Sequence, residues 1–209
     1  MRYALKKHTR KRKLSPAEIA SDPAGIAAKL FARGYLMHVS GEEEEAQRWF
    51  RRVIHTFERW RVSGPGDGRD AVLAGIALRH GAKLIKLRSF GDAHSALSAA
   101  VLYAEQAQQY SASSSLIEIL AAAQGWRALA QRFIGSHEAA KATYERSAGL
   151  WRMLIVFARN REQRNNYRRA LAAVLFGTAK NLRLLGQHAE ADRAREESND
   201  LFRKSRQQP

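Results

Sequence analysis

Four glycines constrain this chain more than any other feature. Gly41, Gly91, Gly135 and Gly186 are each followed five residues later by an alanine: Ala46, Ala96, Ala140 and Ala191. The glycines succeed one another at 50, 44 and 51 residues. Each lies between stretches whose apolar residues recur in steps of three and four, which gathers them on one helical face. After Gly135 these are Ala140, Tyr144, Ala148, Trp151 and Leu154; after Gly41 they are Ala46, Trp49, Phe50, Val53 and Phe57. Glycine supplies the left-handed backbone that ends a helix. The polar or acidic residues after it suit the positive end of the next helix, and an alanine lets two helices approach closely. The pattern predicts an all-α chain of four antiparallel helix hairpins turning at these glycines, each burying one face against its neighbours.

Strand signals are weak. No stretch sustains an alternation of apolar and polar residues, and Asp67-Gly68 sits in the loop-like run Ser63-Gly64-Pro65-Gly66 rather than between β-branched segments. Pro16 and Pro23 mark helix starts near residue 15, and only Pro65 and Pro209 follow them. Residues 1–14 hold seven cations and no acid, which predicts a basic flexible tail ahead of a helical repeat domain over 15–209. With 36 Lys and Arg against 20 Asp and Glu, the net charge is +16, which favours acidic partners. The chain has no cysteine, so disulfides, thiolate-held metals and thiol catalysis are excluded. No apolar run is long enough to span a bilayer, and the expected location is cytoplasmic.

Leu30, Gly34, Gly41, Ala46 and Phe50, and again Leu175, Ala179, Leu182, Gly186 and Ala191, resemble the tetratricopeptide repeat in their spacing. Trp126, Leu129, Ala130 and Phe133 match its first helix in the third hairpin, although the turn then falls two residues short. The likeness covers about residues 24–205. It departs from the family in period, which is about 34 residues there, and in lacking the family's terminal proline. The resemblance implies a right-handed α-solenoid of about four hairpins, with a concave groove that binds a protein or peptide partner.

Three sets of residues are candidate contacts. Three places before the turn glycines stand His38, Arg88, Arg132 and Arg183, one per hairpin, and Tyr35 and Lys180 lie beside two of them. Stacked in register these would form a ladder for an acidic peptide or a phosphate backbone; the plainer explanation is that cations favour the last turn of any helix. The segment 159–169 carries Arg159, Arg161, Arg164, Arg168 and Arg169 interleaved with Asn and Tyr, the composition of a nucleic-acid contact or of a solvated turn. Arg10, Lys11, Arg12 and Lys13 in the tail could hold a phosphate backbone through counterion release.

Enzyme motifs are missing. Gly64, Gly66 and Gly68 precede no Lys-Ser/Thr pair, and the seven histidines form no His-Glu-x-x-His. His94, His137 and His188 follow the turns and read as helix-start residues. Glu42 to Glu45 reads as a solvated first turn, with Glu44 placed to pair with Arg48. No metal and no cofactor is expected. The sequence therefore predicts a non-enzymatic adaptor or regulatory protein that binds a protein or acidic peptide. The alternative is a nucleic-acid-associated protein.

Overall fold

The computed structural model describes residues 69–110 and 113–206, together with isolated positions between 26 and 56. All regular structure among the described residues is helical. The chain divides into two compact units, residues 1–65 and 66–209.

In the first unit, helical residues lie on both sides of Gly41, whose φ is +82°. The Glu42 amide donates to the Met37 carbonyl at 2.9 Å and closes the turn. Ile26 and Val53 are buried, and the Trp49 ring is met by the guanidinium groups of Arg33 at 4.7 Å and Arg52 at 4.8 Å. Arg48 meets Glu45 at 3.5 Å. Tyr35, His38, Ala46 and the tail, including Arg10 to Lys13, lie outside the described residues.

Among its described residues the second unit holds six helices: α1 (Arg69–Lys86), α2 (Phe90–Gln108), α3 (Ser114–Phe133), α4 (His137–Val156), α5 (Arg161–Leu184) and α6 (His188–Arg206). They pack in sequence order as three hairpins, α1–α2, α3–α4 and α5–α6. Gly135 and Gly186 turn two of them at φ of +85° and +74°. The remaining turn departs from the glycine pattern. It is made by Arg88 at φ +59°, and Gly91 lies inside the first turn of α2.

Hydrogen bonds show that Arg88 stands where the others have glycine. The amides of Ser89, Ser136 and Gln187 donate to the carbonyls of Leu84, Gln131 and Leu182 at 3.0, 2.9 and 2.9 Å. One residue earlier, the amides of Arg88, Gly135 and Gly186 donate to Ile85, Arg132 and Arg183 at 3.0, 3.2 and 3.1 Å. These are the paired bonds of a Schellman helix end. The left-handed residues 41, 88, 135 and 186 thus follow one another at 47, 47 and 51, a more regular period than the glycines suggest.

In this register the small residues align. Seven places before the turn stand Gly34, Gly81, Ala128 and Ala179, all buried. Five places after it, Ala93, Ala140 and Ala191 are fully buried, and fourteen before it Ala74, Ala121 and Ala172 are as well. Small side chains at these crossings bring the two helices of each hairpin together. Ser147 and Ser198, also equivalent, donate to the carbonyls of Ala121 and Ala172 at 2.7 and 2.8 Å, so each second helix is riveted to the first by a buried hydroxyl. Ala96 is buried too, one helical turn beyond the position equivalent to Ala140.

The core runs between hairpins. Leu84, Leu97 and Ala130 join α1, α2 and α3, while Tyr144, Trp151, Leu171 and Val174 join α4 to α5. Fully buried Asn181 bonds the His137 carbonyl at 2.8 Å and its imidazole Nδ1 at 3.2 Å, which ties α5 to the start of α4. In α6 only Ala191, Ser198 and Ser205 are buried, seven apart, so its outer face is solvated.

A non-glycine residue in the left-handed region costs about 1 kcal/mol. Arg88→Gly should therefore raise stability by about 1 kcal/mol, less the backbone entropy that glycine adds to the unfolded chain. Urea unfolding measures this directly, and a lower midpoint would show that the Arg88 side chain contributes more than its backbone strain removes.

Candidate functional site

Among the described residues a groove of about 600 Å³ lies between α3 and α5, the first helices of consecutive hairpins. Apolar periodicity builds it. Ala122, Trp126, Leu129 and Phe133 recur on one face of α3, and Ala173, Phe176 and Gly177 answer them from α5. Tyr144 and Trp151 of α4 complete the lining. Glycine at 177 is required by space: a Cβ there would meet the Tyr144 hydroxyl at 2.8 Å.

Two cations belong to this apolar groove, Arg132 on α3 and Lys180 on α5, and no carboxylate lines it. The Arg132 guanidinium stands 4.8 Å over the Phe133 ring. The Phe176 ring is met by Lys180 Nζ at 4.4 Å and by the Arg195 guanidinium at 4.3 Å. Tyr144 is 2% exposed, yet its hydroxyl has no hydrogen-bond partner, and neither has the buried Nη1 of Arg132. Burial pushes the Tyr144 phenol up to about 12, against the pull of the Arg132 charge, so it stays protonated and able to donate at neutral pH.

Of the residues expected to form a ladder, the structure brings Arg132 and Lys180 into one groove. Arg183 does not line it and pairs instead with Asp192 of α6 at 3.0 Å. Arg88 is displaced by three places, because its turn ends on arginine and the position equivalent to Arg132 and Arg183 is Ile85. Tyr144 was missed by sequence reasoning. Its spacing marks it as core; the residue also lines the groove, and its hydroxyl fills the space that Gly177 leaves open.

The arginine-rich segment is largely helical. Asn160 caps α5 by accepting the Gln163 amide at 2.8 Å, so Arg161, Arg164, Arg168 and Arg169 occupy its first turns and Arg159 precedes it. Arg161, Asn165 and Arg169 share a recess of about 630 Å³ with Ser205 and Arg206 at the end of α6, and Glu162 sets one carboxylate among these cations. Arg169 donates to the Ser205 carbonyl at 3.4 Å, and Arg168 to the Asn165 side chain at 3.2 Å. Beneath them the Tyr167 hydroxyl donates to Glu118 of α3 and accepts from the Gln163 amide group at 2.6 Å. Burial, reinforced by the bond to Glu118, pushes this phenol up to about 12.

Among the described residues no helix is long and apolar enough to cross a membrane. No family model matches the chain, and no curated protein matches it significantly.

Proposed function

We propose that this chain is a tetratricopeptide-like adaptor or regulatory protein. Its hairpins form a right-handed α-solenoid, and its α3–α5 groove binds a protein segment of acidic and apolar character. Support for the repeat reading comes from the glycine or arginine turn, with small residues seven places before it and five after. One observation carries the binding reading: an apolar groove on the first helices of two hairpins holds Arg132 and Lys180 and no acid. Charge-assisted contacts to a carboxylate are the strong ones in such a setting.

The test uses fluorescein-labelled acidic peptides with interspersed aromatic residues, titrated by anisotropy. An Arg132→Ala, Lys180→Ala double variant should weaken binding at least about tenfold with helicity unchanged, since each shielded hydrogen bond to a charged group contributes about 1.5–3 kcal/mol. It should also flatten the salt dependence. Equal affinity for the variant and the parent protein would remove the groove from partner binding.

The second reading, backbone contact with nucleic acid, is favoured by the recess at Arg161, Arg169 and Arg206. Exchanging these three for Gln should leave peptide binding intact. If they hold a phosphate backbone, the exchange should lower the slope of duplex-DNA affinity against salt by about 0.9 for each phosphate that is no longer neutralised.

A further inference from the structure

The groove has a feature that an extended peptide would not need. Tyr144 comes from α4, behind the facing helices α3 and α5, and its phenol oxygen lies against the backbone of Gly177 with no partner. A buried hydroxyl without a partner is disfavoured by roughly 1–3 kcal/mol. A second polar atom on a residue that lines the groove, Nη1 of Arg132, is also buried and unpartnered. Arginine can only donate, and the tyrosine hydroxyl can donate. Two donors, one of them charged, call for an acceptor carrying negative charge. The walls around them, Trp126, Leu129, Phe133, Val174 and Phe176, are mainly apolar and suit an apolar body. A concavity of about 600 Å³ lies within the range of small-molecule sites, about 300–1,000 Å³, and has their usual make-up of apolar walls with a few placed polar groups.

We propose that the α3–α5 groove is a site for a small amphipathic carboxylic acid, its carboxylate received by Arg132 and Tyr144 and its apolar body held between Trp126 and Phe176. Lys180, exposed and stacked on Phe176, adds charge at the rim. The proposal rests on the reading of this groove as the binding site. It adds that a free acid can occupy the groove and so compete with a protein segment there.

The experiment titrates the full chain with 4-phenylbutyrate and decanoate, and with 4-phenylbutyramide and decanol as uncharged counterparts. The readouts are calorimetry and the fluorescence of the groove tryptophans. At least one acid should bind saturably at one site, and its uncharged counterpart about tenfold or more weakly, as expected for loss of a charge-assisted pair. Arg132→Gln should weaken the acid about tenfold. Tyr144→Phe keeps the ring and the packing, and should weaken it about threefold or more. Arg183→Gln, outside the groove, should change nothing. An acetylated, amidated acidic peptide forms the second arm. Acid that binds and displaces the peptide supports both readings. Acid binding without peptide binding keeps this proposal and removes the adaptor reading. Peptide binding without acid binding overturns this proposal and leaves the adaptor. Equal binding of acid and amide, or acid binding indifferent to both Arg132→Gln and Tyr144→Phe, also overturns it.

Discussion

Gly81→Ala should destabilise the protein by about 1–3 kcal/mol, whereas Gly149→Ala should stabilise it by about 0.5–1 kcal/mol. Both glycines sit inside helices, and alanine is the better helix former at either. The difference is what a methyl group would meet. At Gly149 nothing lies within 4 Å of an added Cβ. At Gly81 the Cβ would stand 2.4 Å from Cγ of Leu97 and 2.7 Å from its Cδ2, far inside van der Waals contact. Leu97 is itself fully buried in the core between α1 and α2, so it has nowhere to move. Paired urea titrations would settle the matter: equal stabilisation by both exchanges would mean that α1 and α2 are not held at this crossing.

Acid should destabilise the protein through His80. This imidazole is 7% exposed on α1, and burial pulls its pKa from 6.5 to about 4, opposed in part by Asp92. The folded state therefore holds His80 neutral while the unfolded state takes up a proton as pH falls below 6.5. Stability is fully present above that value and is lost as pH falls toward 4. The shift corresponds to a loss of about 3 kcal/mol once both states are protonated. Carboxylates titrate over the lower part of this window, so the measurement is a difference. Between about pH 7.5 and about 4 the parent chain should lose stability relative to His80→Gln, so the difference between their urea midpoints should shift steadily in favour of the variant. Parallel curves would show that His80 is protonated equally in both states.

Much of the fold was legible because it rests on local chemistry. Glycine followed five places on by alanine located the turns at Gly41, Gly135 and Gly186, where each glycine takes the left-handed conformation expected of it. The second turn was not legible in this way. Gly91 is the better left-handed residue, but a turn there would put Leu84 at the crossing seven places before it, where the other hairpins have glycine or alanine. The chain instead turns at Arg88, which brings Gly81 and Ala93 to the crossing. Close helix packing outweighs the local preference of one residue, whose strain is only about 1 kcal/mol.

The candidate site divides along the same line. That the chain is helical, built from hairpins and strongly positive could be read from local pattern alone, because helix periodicity, turn chemistry and composition act over short spans. The sequence also singled out Arg132 and Lys180. That these two share a groove while Arg183 pairs with Asp192 follows from how the helices pack. The structure alone placed the Tyr144 hydroxyl against Gly177 and set the arginines from 161 onward on a capped helix. Residues tens of positions apart meet through the crossing of rigid helices, and the geometry of a crossing is set by side-chain volumes on both partners at once.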